Sequence, residues 1–220
     1  MSKQNIYLIS GLGADESIFQ NLSFNSNCNV NFIKWIEPNK NESFNDYCIR
    51  ISEQINTDES IVLIGLSFGG AIAQELSSIV NSKKTIIISS FKSSLELPFY
   101  YRLIGRLKIH KVVPFSFLKK SSFITNWFFG VQTKTEEAIL KSFLENVSLN
   151  FLKWSINIIV TKKFDFKKEN LVHIHGTSDR ILPFRYIGKN LTVRKGGHFM
   201  IFNKSNEINA LLETIILTKS

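Results

Sequence analysis

The chain has 220 residues, 44% hydrophobic and 20% charged, values that suit one ample globular core with an insertion and exclude a disordered chain. No apolar run approaches the roughly 18 residues of a membrane span, and the start, MSKQNIYLIS, lacks a leader pattern, so a soluble, cytoplasmic protein is expected. The net charge of +9 invites a nucleic-acid reading, but residues 92–170 hold 14 Lys and Arg against 6 Asp and Glu, so the excess is local and nucleic acid is the least favoured partner.

Residues 6–10 (IYLIS) predict a first strand that runs into Gly11-Leu12-Gly13-Ala14-Asp15. Such a loop can cradle an anion on backbone N–H groups, but Glu16 stands where a dinucleotide fingerprint needs its third glycine. Asp15 reads instead as the N-cap of a short helix over 16–22. Residues 30–36 (VNFIKWI) alternate and predict a second, edge-like strand, followed by a loop at Glu37-Pro38-Asn39. In 44–56, Phe44, Tyr47, Cys48, Ile51 and Ile55 recur at helical intervals behind Ser43 as N-cap, which predicts a helix with one buried stripe. Cys28 and Cys48 are the two cysteines, without CxxC or Cys/His spacing, so neither a disulfide framework nor a zinc site is expected.

The stretch 60–79, SIVLIGLSFGGAIAQELSSI, organises the chain. Ile61, Val62, Leu63 and Ile64 form a continuous apolar run suited to a strand buried on both faces, and Ala71, Ile72, Ala73 and Leu76 follow at helical spacing. Between them lies Gly65-Leu66-Ser67-Phe68-Gly69-Gly70. A nucleophile raised above a sheet on a sharp turn needs neighbours without a Cβ, which Gly65 and Gly69 supply. A serine in a small-residue helix cap would look similar, but the strand-turn-helix context favours the nucleophile.

Residues 85–89 (TIIIS) predict another buried strand, after which 92–169 departs from strand-helix alternation: it is aromatic, basic and helical in pattern, with Pro98 and Pro114 as breakpoints. It reads as an insertion. Alternation resumes with strands over 171–175 and 191–194 and a closing helix over 205–217, whose buried face carries Ile208, Leu211, Leu212, Ile215 and Ile216.

A nucleophilic Ser67 needs a base, and four histidines are present. His198, in Lys195-Gly196-Gly197-His198-Phe199-Met200, lies in a glycine-flexed loop between the last strand and the last helix, on the same rim as the Ser67 turn if the sheet is parallel. His173 and His175 share one side of a strand and read as structural, and His110, between Lys108 and Lys111, reads as part of a solvated face. Asp179, in Gly176-Thr177-Ser178-Asp179-Arg180 on the same rim, fits the carboxylate that orients the imidazole; the competing reading is an Asx-type turn. The N–H groups of Phe68 and Leu12 are placed to hold an oxyanion.

With GLSFGG, GTSD and GGH in the chain order Ser, Asp, His, the sequence resembles the α/β-hydrolase family over 1–91 and 170–220. The resemblance implies an α/β core, a doubly wound, mostly parallel sheet of about six strands, with a Ser67–His198–Asp179 triad and a helical lid over 92–169. The chain looks most like small bacterial esterases and thioesterases, and the resemblance implies cleavage of an ester or thioester without metal or organic cofactor. The same fold also serves lyases, transferases and non-catalytic ligand binders, and Ser10-Gly11 replaces the His-Gly common in the family's oxyanion loop. Within the insertion, 97–130 combines aromatics with Arg102, Arg106, Lys108, Lys111, Lys119 and Lys120 and has no acid. A lid that roofs the acyl pocket and keeps its cations in water is the preferred reading; the sharper alternative is a surface for anionic lipid, an acidic carrier protein or an acidic substrate.

Overall fold

The structure, a computed structural model, describes residues 3–56, 60–112, 122–167 and 169–217. Pro114, Lys119 and Lys120, singled out above, lie outside them. Six strands are described: β1 (Gln4–Ile9), β2 (Cys28–Ile33), β3 (Ile61–Leu66), β4 (Ser82–Ile88), β5 (Leu171–Gly176) and β6 (Leu191–Val193). They form one sheet in the order β2-β1-β3-β4-β5-β6, parallel at every pairing. β2 is an edge strand, as its alternation predicts. The chain leaves β1 toward β2 and returns to the other side of β1 for β3, so the winding reverses between β1 and β3, and ligands of open parallel sheets bind beyond the carboxyl ends of strands at such a reversal.

β3 and the carboxyl-terminal halves of β1 and β4 are apolar and buried because both faces are covered. Tyr7, Ile9, Ile61 and Leu63 pack with α1 (Phe44–Ser52) and α2 (Phe68–Leu76). Between β4 and β5 the chain inserts α3 (Phe99–Arg106), α4 (Phe123–Phe129), α5 (Lys134–Asn146) and α6 (Leu149–Thr161). After β6, the short α7 (Met200–Asn203) and α8 (Ser205–Leu217) cover the other face, against Ile6, Leu8, Val62, Ile64, Ile86 and Ile88. The period-two alternation within each run thus divides the two cores. Among the described residues no helix is long and apolar enough to cross a membrane.

Several element ends differ from expectation, and at β2 the cause is side chains that capture the backbone. β2 stops at Ile33, three residues before the end of the alternating run: Ile36 N donates to Tyr47 Oη at 3.3 Å, that hydroxyl donates to Ile36 O at 2.9 Å, and Trp35 Nε1 donates to Ala14 O at 3.1 Å. These contacts turn the chain toward α1 and the β1 loop. The helix expected over 16–22 is a single 3-10 turn, Glu16–Phe19, with Asp15 Oδ1 accepting from Ser17 N at 2.9 Å. α1 ends at Ser52, although Ile55 still reaches the core. Ser43 caps α1 as expected, accepting from Asp46 N at 3.1 Å.

His110 does not belong to a solvated face. It is 5% exposed and its Nε2 lies 3.0 Å from Asn157 Oδ1 of α6. A Cβ at Gly105 would overlap the Val160 carbonyl, so α3 and α6 cross closely and the turn that follows α3 is drawn onto α6.

Candidate active site

Ser67 sits between β3 and α2 with φ +52° and ψ −120°, a conformation that a side-chain-bearing residue holds at a cost of about 1–3 kcal/mol. Three hydrogen bonds hold it there: Ser67 N donates to Ile88 O (2.9 Å), and Ser67 O accepts from Gly70 N (2.9 Å) and Ser90 Oγ (2.7 Å). The tightness of the turn explains its glycines. A Cβ at Gly65 would overlap the Gly69 carbonyl, and one at Gly69 would overlap the carbonyls of Ile9 and Ser10. The turn therefore presses against the end of β1, and a Cβ at Gly11 would stand 3.4 Å from Ser67 Cβ.

The structure brings Ser67, His198 and Asp179 into one hydrogen-bonded line. His198 Nε2 is 2.9 Å from Ser67 Oγ, and His198 Nδ1 is 2.8 Å from Asp179 Oδ2. Nδ1 facing a carboxylate carries the ring proton of the neutral imidazole, which leaves Nε2 as the acceptor of the serine hydroxyl. The Asp179 side chain is fully buried and that of His198 is 6% exposed, so the line is shielded from water.

Asp179 divides its two oxygens between the turn and the imidazole. Oδ1 accepts from Ile181 N at 2.9 Å and Leu182 N at 2.8 Å, which is the turn role, while Oδ2 is left to His198. The turn fixes the carboxylate in rotation. Behind it stand His173 and His175, on one side of β5 as expected: His173 Nε2 lies 3.2 Å from His175 Nδ1, and His175 Nε2 is 2.9 Å from Leu182 O. A carbonyl only accepts, so His175 donates from Nε2 and its Nδ1 accepts from His173. Burial holds the pKa of His173 well below 6.5 and lowers that of His175, although Asp179 pulls the latter upward. His175 Nε2 is 3.7 Å from Asp179 Oδ2, too far for a hydrogen bond, so His198 is the imidazole that Asp179 engages.

Ser67 and His198 open onto a cavity of about 640 Å³ that also takes in Leu12 and Phe68. Phe68 is the first residue of α2, where the N–H groups have no partner inside the helix. Leu12, in the loop after β1, and Phe68, at the start of α2, thus line the same cavity as Ser67. The wall is almost wholly apolar, and much of it comes from the insertion: Tyr100, Ile124, Phe128, Phe129, Phe143 and Ile159.

Contacts within this wall escaped sequence reasoning. The Phe129 ring meets His198 edge-on at 5.6 Å, and Phe199 N donates to Phe129 O at 2.9 Å. Arg180, next to Asp179, donates from Nη1 to Trp127 O at 2.6 Å and stacks over the Trp127 ring at 4.3 Å. α4 is in this way fastened to the loops that carry Asp179 and His198. The one readable signal was Gly130 after Phe129, a left-handed C-cap with φ +74°. Its approach to Gly197, where an added Cβ would come within 3.2 Å of the backbone, has no trace in local sequence.

No protein-family model matches the sequence, and no curated protein matches it. Solved structures do. The chain is similar to a bromoperoxidase from Bacillus anthracis at 16% identity and a TM-score of 0.73, over 99% of this chain and 93% of that one. It is similar to a hydrolase from Oleispira antarctica at 11% identity and a TM-score of 0.73, over 99% and 93%. Polyneuridine aldehyde esterase is similar at 16% identity and a TM-score of 0.63, over 97% and 99%. At such identities the likeness is one of architecture, and together with the six-stranded parallel sheet it establishes that this chain has the α/β-hydrolase fold.

Proposed function

We propose that the protein is a serine hydrolase that cleaves a carboxylic ester or thioester of a small or acyl-chain substrate through an acyl-enzyme. The observation that carries this reading is the line Ser67 Oγ–His198–Asp179, with both contacts under 3 Å and opening onto an apolar cavity. That solved structures of the same fold include a hydrolase and an esterase adds support.

In this reading His198 Nε2 takes the proton of Ser67 as Oγ attacks the acyl carbon. The carbonyl electron pair moves onto oxygen, where the amides of Leu12 and Phe68 stabilise it; one such donor is worth about 3 kcal/mol. Asp179 stabilises the imidazolium so formed, which then gives its proton to the leaving alcohol or thiol as the bond to the acyl carbon breaks. Water, deprotonated by the same nitrogen, releases the acid and restores Ser67. Residues 92–169 act as a lid whose apolar inner wall receives the acyl chain.

Hydrolysis of p-nitrophenyl esters from acetate to palmitate, run beside Ser67→Ala, tests the proposal. The expected result is turnover that Ser67→Ala lowers by roughly 10⁴-fold or more. Silence of the parent protein across the series, or activity that survives in Ser67→Ala, would overturn it.

A further inference from the structure

The outer side of the insertion differs from the rest of the molecular surface. Of the sixteen large hydrophobic residues exposed among the described residues, nine lie between Phe99 and Phe128. In α3, the helical period puts Phe99, Arg102, Leu103 and Arg106 on one side and Tyr101 and Gly105 on the other. The exposures agree: Phe99 is 60% and Leu103 46% exposed, both arginines are exposed, and Gly105 is buried against Val160. The chain continues outward through Leu107, Lys108, Lys111 and Val112. In α4, Phe123 and Ile124 are 83% and 66% exposed. Of these nine residues only Ile124 and Phe128 also line the Ser67 cavity.

The charge on this surface has one sign. Among the described residues, Arg102, Arg106, Lys108 and Lys111 form no salt bridge, and 97–130 contains no acid; the acid that α4 meets is Glu137, which accepts from Asn126 Nδ2 at 2.8 Å. A helix face in water carries few large apolar side chains, and its cations normally alternate with acids. Aromatic and aliphatic side chains between unpaired cations match instead the boundary between anionic headgroups and acyl chains, which lets both kinds of side chain leave water favourably. A second copy of the chain fits poorly, since it would set these cations against their own kind. An acidic protein would answer the charge but leave the outward Phe99, Leu103 and Phe123 unexplained. The surface also borders the Ser67 cavity, because Ile124 and Phe128 are exposed and line it at once.

We propose that the outer surface of α3 and α4 docks on an anionic phospholipid bilayer and holds the mouth of the Ser67 cavity at the leaflet. It rests on the hydrolase reading only for its corollary, that the substrate is an acyl ester partitioned into that leaflet.

Co-sedimentation of Ser67→Ala protein with phosphatidylglycerol/phosphatidylcholine vesicles, beside pure phosphatidylcholine, at low and high salt, tests the docking without any turnover. The expected result is binding to the anionic vesicles that salt weakens. The pair Arg102→Gln and Arg106→Gln should reduce partitioning by about 25-fold, from roughly fivefold per cation near an anionic leaflet. Phe99→Ser with Leu103→Ser should reduce it as well, with the far-ultraviolet spectrum unchanged. Three outcomes would overturn the proposal: no binding to anionic vesicles at low salt, binding that neither pair alters, or capture by an acidic acyl-carrier protein without vesicle binding. An inactive esterase assay with intact vesicle binding would count against the hydrolase reading alone.

Discussion

Replacing Asp179 by Asn should abolish ester hydrolysis while leaving the fold intact. The carboxylate divides its oxygens: Oδ1 accepts from the amides of Ile181 and Leu182, and Oδ2 faces His198 Nδ1 at 2.8 Å. A carboxamide has a single oxygen. Turning its NH₂ toward the two amides would leave both unsatisfied, at about 1–3 kcal/mol each, so the oxygen stays at the turn and the NH₂ faces His198. Nδ1 must then accept, the ring proton moves to Nε2, and His198 points a hydrogen at Ser67 Oγ instead of a lone pair. Loss of the correct tautomer in such a triad lowers kcat by about 10⁴, or roughly 5.5 kcal/mol of barrier. The check is kcat and KM on the best p-nitrophenyl ester together with urea unfolding. Asp179→Asn should lose kcat with KM and the urea midpoint nearly unchanged, whereas Asp179→Ala, which strands both amides, should also lose about 2–6 kcal/mol of stability. An Asn variant within tenfold of the parent rate would refute the assignment of the two oxygens.

Gly130→Ala places a Cβ on a left-handed residue against Gly197, next to His198, and should cost about 1–2 kcal/mol in urea unfolding with a larger proportional loss of kcat; unchanged kcat would show that α4 does not position the His198 loop. Stability should fall in acid because of the histidine pair. Burial lowers the pKa of His173 and His175 in the native state, so the unfolded chain binds protons that the native chain refuses. Their contribution is complete above a pH of about 6.5 and declines below it, by up to roughly 1.4 kcal/mol per pH unit for each histidine. Urea midpoints between pH 7 and 5 should show this slope, and His173→Gln, which keeps a donor toward His175, should reduce it; an unaltered slope would refute the attribution.

Local signals made most of the core legible. The apolar runs at 61–64 and 85–89 suited strands covered on both sides, and the stripe Phe44, Tyr47, Cys48, Ile51 suited a helix packed on a sheet. The Ser67 turn was readable because its constraints are short-range: the glycines that relieve it are two residues away on either side. His198 was readable through its place after the last strand. The end of β2 was not, since it depends on Trp35 and Tyr47 capturing backbone from other elements.

Sequence by itself determined which residues could be nucleophile, base and orienting acid, because backbone conformation and side-chain chemistry at a turn are set within a few residues of it. Tertiary structure alone decided how they meet. Ser67 and His198 are 131 residues apart, and their 2.9 Å contact exists only because β3, β4, β5 and β6 lie side by side and parallel. The same holds for the division of Asp179 between turn and imidazole, for His110 turning inward onto α6, and for the outward Phe99 and Leu103. A helical period states which residues share a side, but the packing of the neighbouring helices selects the side that meets water.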